Sequence, residues 1–84
     1  MLAQTVLFDG FDPLDALGPY EVLFAGGRLF TEGELTVELV SAEGAREVPS
    51  GTPPLALRAT GRLSPEWADL IVLPGAAPGS GVSR

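Results

Sequence analysis

Two apolar segments, each emptying into a loop, constrain the fold of this chain more than anything else in it. The first, Thr5-Val-Leu-Phe8, passes through the acidic turn Asp9-Gly-Phe-Asp12 into Pro13-Leu-Asp-Ala-Leu-Gly-Pro-Tyr-Glu21. The second, Asp69-Leu-Ile-Val-Leu-Pro-Gly75, runs into a stretch of Gly, Ala and Pro that continues to Gly81. Strands that are apolar without alternation are covered on both faces, as in a parallel sheet. Two of them separated by helical and β material make an α/β unit. Ligands of open α/β sheets sit beyond the carboxyl ends of the strands. Residues 9–15 and 75–81 are therefore expected to face one crevice.

Between these segments the chain reads as a short series of elements. Asp12 is placed to cap a helix, with Pro13 at its first position and Asp15 in its first turn. Pro19 has no N–H and disfavours helical geometry at Gly18, so a turn over 13–17 and a separate helix from Pro19 to about Phe30 are expected. Tyr20, Leu23, Phe24 and Gly27 follow the spacing of one apolar helix face. A turn at 32–34 precedes an alternating strand over 35–41, which belongs nearer the sheet edge than a fully apolar one. After a turn at 43–45, Val48 and the run 55–59 flank Pro49-Ser-Gly-Thr-Pro-Pro54, a small β excursion around a loop. Ser64-Pro-Glu66 caps a helical turn carrying Trp67, and Asp69 opens the second buried strand.

Composition removes several kinds of chemistry. Of the 84 residues 45% are hydrophobic, the formal net charge is −6, and the only basic residues are five Arg, with no Lys. Neither a nucleic-acid backbone nor an anionic membrane surface suits such a chain, because both call for clustered cations. The absence of Cys and His excludes disulfides, thiolate nucleophiles and imidazole bases within these residues, and with them the usual zinc ligand sets. No metal or cofactor is expected. The apolar N-terminus lacks a basic leader and is interrupted by Asp9 and Asp12, so it reads as a strand and not a signal peptide, which makes the cytoplasm the default. No apolar run reaches the length of a membrane span.

A chain this short buries only about 60–65% of its unfolded surface. The order strand, helix, strand, β excursion, short helix, strand, loop is half of a doubly wound sheet, with an unpaired edge and an uncovered face. A fragment or a part of a larger assembly is expected, and association into a homodimer with it.

The tract from Phe8 to Phe24, with Phe-Asp-Gly-Phe followed by Asp15-Ala-Leu-Gly-Pro19, resembles the start of the ThiJ/PfpI superfamily. It is most similar to the branch holding isonitrile hydratases and the ligand-side domains of AraC-type regulators. Leu39-Val-Ser-Ala-Glu-Gly44 is similar to that family's second strand, and residues 69–75 resemble the strand entering its Pro-Gly-Gly turn. The resemblance implies a flavodoxin-like, doubly wound and mostly parallel α/β fold, of which residues 1–84 would be the N-terminal part. It also implies that Asp15 is an active-site acid working beside a Cys on a nucleophile elbow, in the hydration of an isocyanide to an N-substituted formamide. Backbone N–H groups of Gly75 and Ala76 would then face the developing anion. Ala76 stands where many relatives have a second Gly, and the nucleophile would lie beyond Arg84.

Each of these residues also has a plainer reading. Asp15 answers the free N–H groups and dipole of a helix start, worth about 0.5–1 kcal/mol. Glu21 reads as a surface charge, and Asp9 and Asp12 as turn and cap residues in preference to a metal pair. The stretch 75–81 lacks the Lys and hydroxyl of a phosphate loop, and Ser80 has no base to activate it. Trp67 and Tyr20 suit a core or a subunit contact. Three functions remain open: an isonitrile hydratase-like lyase acting on a small-molecule substrate, the effector-sensing domain of an AraC-type regulator, and a non-catalytic remnant.

Overall fold

The computed structural model describes residues 1–30 and 35–76, with only the backbone of 27–30 included. Its elements are β1 (Leu2–Val6), α1 (Pro13–Phe30), β2 (Thr36–Ser41), β3 (Arg46–Pro49), β4 (Ala56–Ala59), β5 (Gly61–Arg62) and β6 (Leu70–Val72). β1, β2, β5 and β6 form a four-stranded parallel sheet in the order β5-β2-β1-β6. β3 and β4 pair antiparallel as a separate ribbon. The chain is thus α/β, and the β excursion expected around residues 49–54 is this ribbon.

β1 is central because it has a neighbour on each side: Thr5 lies opposite Leu39 of β2 and opposite Val72 of β6. From Ala3 to Val6 every β1 residue is buried, as an apolar central strand requires. The strand begins three residues earlier than the expected Thr5 and ends two residues before the expected Phe8. It ends at Val6, where Leu7 turns toward the ribbon and gives its N–H to the Val40 carbonyl at 2.7 Å. Side chains alternate along a strand, so Thr5 and Leu7 share one face while Gln4 and Val6 share the other. The first face meets α1. Leu7, Phe11, Ala16, Val48 and Ala59 form its buried cluster, with Phe8, Leu39 and Leu57 packed against it. Burying a side chain the size of Leu7 or Phe11 contributes about 1.5–3 kcal/mol.

The opposite face is organised by a polar side chain. Gln4 is buried, yet its Nε2 donates to Glu38 Oε1 at 2.9 Å and to the Arg62 carbonyl at 3.4 Å. Its Oε1 accepts the Ser64 N–H at 2.8 Å. These bonds carry the 63–69 connection across the sheet from β5 to β6, and they satisfy an amide that would otherwise be costly to bury. Asp69 completes the crossing: its N–H donates to the Leu2 carbonyl at 2.7 Å and its Oδ2 accepts the Leu2 N–H at 2.7 Å.

Three expectations are corrected. α1 is one continuous helix through Pro19, not a turn followed by a helix. Gly18 has no Cβ to clash with the proline ring, and the fully buried Ala16 packs the helix into the core cluster. That packing outweighs the roughly 3 kcal/mol a mid-helix proline costs. β2 is an interior strand, because the two-residue β5 pairs along its outer side; its alternation reflects the partly polar face of Glu38. β6 is not buried. Among the described residues it pairs only with β1, and Ile71 and Leu73 are 42% and 71% exposed. Trp67, 76% exposed, lies outside the core. The expected turn at 32–34 and the loop residues 77–81 lie outside the described residues.

Candidate functional site

The chain leaves β1 and returns through β2 on one side, then crosses to β6 on the other. The junction of β1 and β6 is therefore a topological switch point, where open parallel sheets form their ligand crevice. The loops that follow these two strands meet there.

The loop after β1 is a tight turn in which the Phe11 N–H donates to the Phe8 carbonyl at 3.0 Å. Gly10 sits at its third position with φ of 89°, a conformation that L side chains rarely adopt and that this turn demands. The turn aims Phe11 inward, where it is fully buried. Its backbone bridges Ser50 on one side and Ala76 on the other. The Gly10 N–H donates to the Pro49 carbonyl at 3.0 Å, and the Gly51 N–H to the Phe11 carbonyl at 2.9 Å. Phe11 thus ties together the β1 exit, the ribbon loop and the β6 exit.

Asp12 caps α1 as expected. Its Oδ1 accepts the Leu14 N–H at 3.0 Å and its carbonyl accepts the Ala16 N–H at 3.1 Å. Asp15 stands three residues on, where an acidic side chain ordinarily reaches back to the N-cap N–H as a capping box. Here both partners turn outward instead. The Asp12 N–H donates to the Gly75 carbonyl at 2.7 Å, while Asp15 Oδ2 accepts the Gly75 N–H at 3.3 Å. The two polar groups of one glycine are clasped by the cap and the first turn of α1. Asp15 is exposed, so its carboxylate remains reachable from solvent. A Cβ on Gly75 would lie 3.2 Å from Asp15 Oδ2, so a larger residue there would push the carboxylate aside.

Of the residues singled out in the sequence, Asp15 and Gly75 are brought together directly. Ala76 is adjacent and half-buried, set opposite Phe11. The Gly75 N–H points at Asp15, so an anion could use it only by displacing that carboxylate. Asp9 is a turn residue whose Oδ1 lies 3.1 Å from Arg46 Nη2, and Arg46 Nε lies 3.1 Å from Glu43 Oε1. The hydrogen bond to Asp9 is the largest influence raising the Arg46 guanidinium above its ordinary value; desolvation opposes it and Glu43 adds to it. Among the described residues no group of three or more His, Cys, Asp or Glu is placed to hold a metal ion, and no helix is long and apolar enough to cross a membrane.

Sequence reasoning missed the third wall of this rim. Pro49, Ser50 and Gly51 were legible only as a loop, and Arg46 only as a scattered cation. One signal did point there: Phe11 is a large apolar residue inside an acidic turn, and it needed something to bury it. Compared with protein-family models, with curated proteins and with solved structures, the chain has no match in any of the three.

Proposed function

We propose that this chain is the N-terminal part of a ThiJ/PfpI-like domain, flavodoxin-like and doubly wound, with isonitrile hydration as its reaction and Asp15 as its acid. The observation that carries the reading is the bond from the Gly75 N–H to Asp15 Oδ2 at the switch point, 3.3 Å long. It sets a solvent-reachable carboxylate at the place where this class of sheet binds small molecules. Further support comes from β6, which has no second strand beside it among the described residues and whose exposed Ile71 and Leu73 suit additional strands and helices of the same domain.

In this reading the thiolate is supplied by a segment outside these 84 residues, which contain no Cys. The nucleophile adds to the terminal carbon of the isocyanide and the Asp15 carboxyl delivers a proton to that carbon. Water then adds to that carbon, one of its protons going to the nitrogen and the other to Asp15, and the thiolate leaves to give an N-substituted formamide. The clasp on Gly75 keeps the acid from folding back onto its own helix.

The test begins with the coding sequence downstream of Arg84. A product extended through a Cys on a strand-to-helix elbow should convert cyclohexyl isocyanide to the formamide, and Asp15→Asn should abolish that turnover. The 84 residues alone should produce none. Turnover indifferent to Asp15→Asn would defeat the reading. An extension that instead carries a helix-turn-helix and binds a small molecule without converting it would favour the regulator.

A further inference from the structure

Asp9-Gly10 is the one Asp-Gly pair in the sequence, and the sequence has no Asn. An Asp-Gly peptide is the usual site of spontaneous backbone isomerisation in proteins. The Gly nitrogen attacks the Asp side-chain carboxyl, and no Cβ on the following residue stands in its way. The structure holds both reacting groups through a single element. The carboxyl of Asp9 is paired to Arg46 Nη2 at 3.1 Å, and the N–H of Gly10 donates to the Pro49 carbonyl at 3.0 Å. Arg46 and Pro49 are the first and last residues of β3.

From this geometry we propose that Asp9-Gly10 is a site of isoaspartate formation kept closed by β3, with Arg46 as its guard. The ion pair tethers the carboxylate to Arg46 and so resists the side-chain rotation that would bring Cγ onto the Gly10 nitrogen. The bond to Pro49 holds the amide proton that has to leave. When β3 lifts away, both constraints end together. The Gly10 nitrogen then bonds to Cγ of Asp9, the amide proton and the carboxyl hydroxyl leave as water, and a succinimide forms. Water reopens the ring. Cleavage at the nitrogen–Cγ bond restores Asp9, while cleavage at the α-carbonyl leaves the chain running through the side chain, one methylene longer.

The consequence falls on the rim described above. The added methylene lies two residues before Phe11, which is fully buried and bridges Ser50 and Ala76. Isomerised chains should therefore lose the register that brings Gly75 to Asp15. The inference stands independently of the proposed activity, because it needs only the folded chain and water.

The test is incubation at neutral pH and 37 °C, with isoaspartate at Asp9 followed by peptide mapping and by isoaspartyl methyltransferase labelling. Native wild-type chain should isomerise several-fold more slowly than the same chain in urea, and Arg46→Ala should isomerise several-fold faster than native wild type. Val40→Ala removes buried volume in β2 without touching either reacting group, and it controls for general loss of stability. It should stay near the wild-type rate when compared at equal fraction folded. Equal rates for native and urea-unfolded wild type would overturn the proposal, as would an Arg46→Ala rate no greater than that of Val40→Ala.

Discussion

Gly75 meets Asp15 across 60 positions of chain, its N–H donating to the carboxylate at 3.3 Å while its carbonyl takes the N–H of Asp12 at 2.7 Å. Asp12 still caps the helix through its own side chain, but its N–H and the Asp15 carboxylate both bond the loop after β6 instead of each other. This exchange joins two loops far apart in sequence into one rim, and a side chain at position 75 would crowd the carboxylate.

Gly75→Ala should disturb the rim without unfolding the sheet. The new Cβ falls 3.2 Å from Asp15 Oδ2, so the carboxylate has to move. Both residues are exposed, and the loss of stability should stay within about 1 kcal/mol. The carboxyl carbon resonance of Asp15 should shift while the urea midpoint changes little. An unmoved resonance would show that the two groups are not in contact.

Thr5→Val should stabilise the chain. The Thr5 hydroxyl is buried with no hydrogen-bond partner among the described residues, on the face that packs toward α1. Replacing it by a methyl group of similar shape removes a desolvation cost of about 1–3 kcal/mol. A higher urea midpoint with an unchanged slope is the expected outcome, and a lower midpoint would mean that the hydroxyl is engaged after all.

Gln4→Leu should act in the opposite direction. It strips the Ser64 N–H and Glu38 of their partner, and it loosens the connection that reaches β6. A loss of about 1–3 kcal/mol follows, with hydrogen exchange rising first over residues 63–69. Uniform exchange across the sheet would place the anchor elsewhere.

Pro19→Ala should strengthen α1. It restores the N–H that the Asp15 carbonyl lacks four residues earlier, and it relieves a ring clash, together worth up to about 3 kcal/mol. A gain in helical circular dichroism and in urea midpoint is expected. No gain would indicate that Gly18 already absorbs the whole cost.

The parallel α/β character was legible because apolar runs and Gly-Pro punctuation are local signals. So were the Asp12 cap and the first-turn position of Asp15, since caps are fixed by spacing alone. Pro19 misled because local propensity argues for a break, whereas the packing of Ala16 into the core cluster decides the outcome. β6 misled for a related reason. Leu-Ile-Val-Leu reads as buried, but its burial depends on a second neighbour that these residues do not supply. The ribbon itself was legible, but its contact with the β1 exit was not, because the backbone bonds at Pro49 and Gly51 leave no mark in side-chain chemistry.

The Gly75 amide resonance in wild type, Asp15→Ala and Asp15→Asn tests the junction of the two loops most directly. With the carboxylate in place the proton should lie downfield. It should move upfield in Asp15→Ala and stay near the wild-type position in Asp15→Asn, whose side-chain carbonyl can still accept. A Gly75 resonance identical in all three chains would contradict the account.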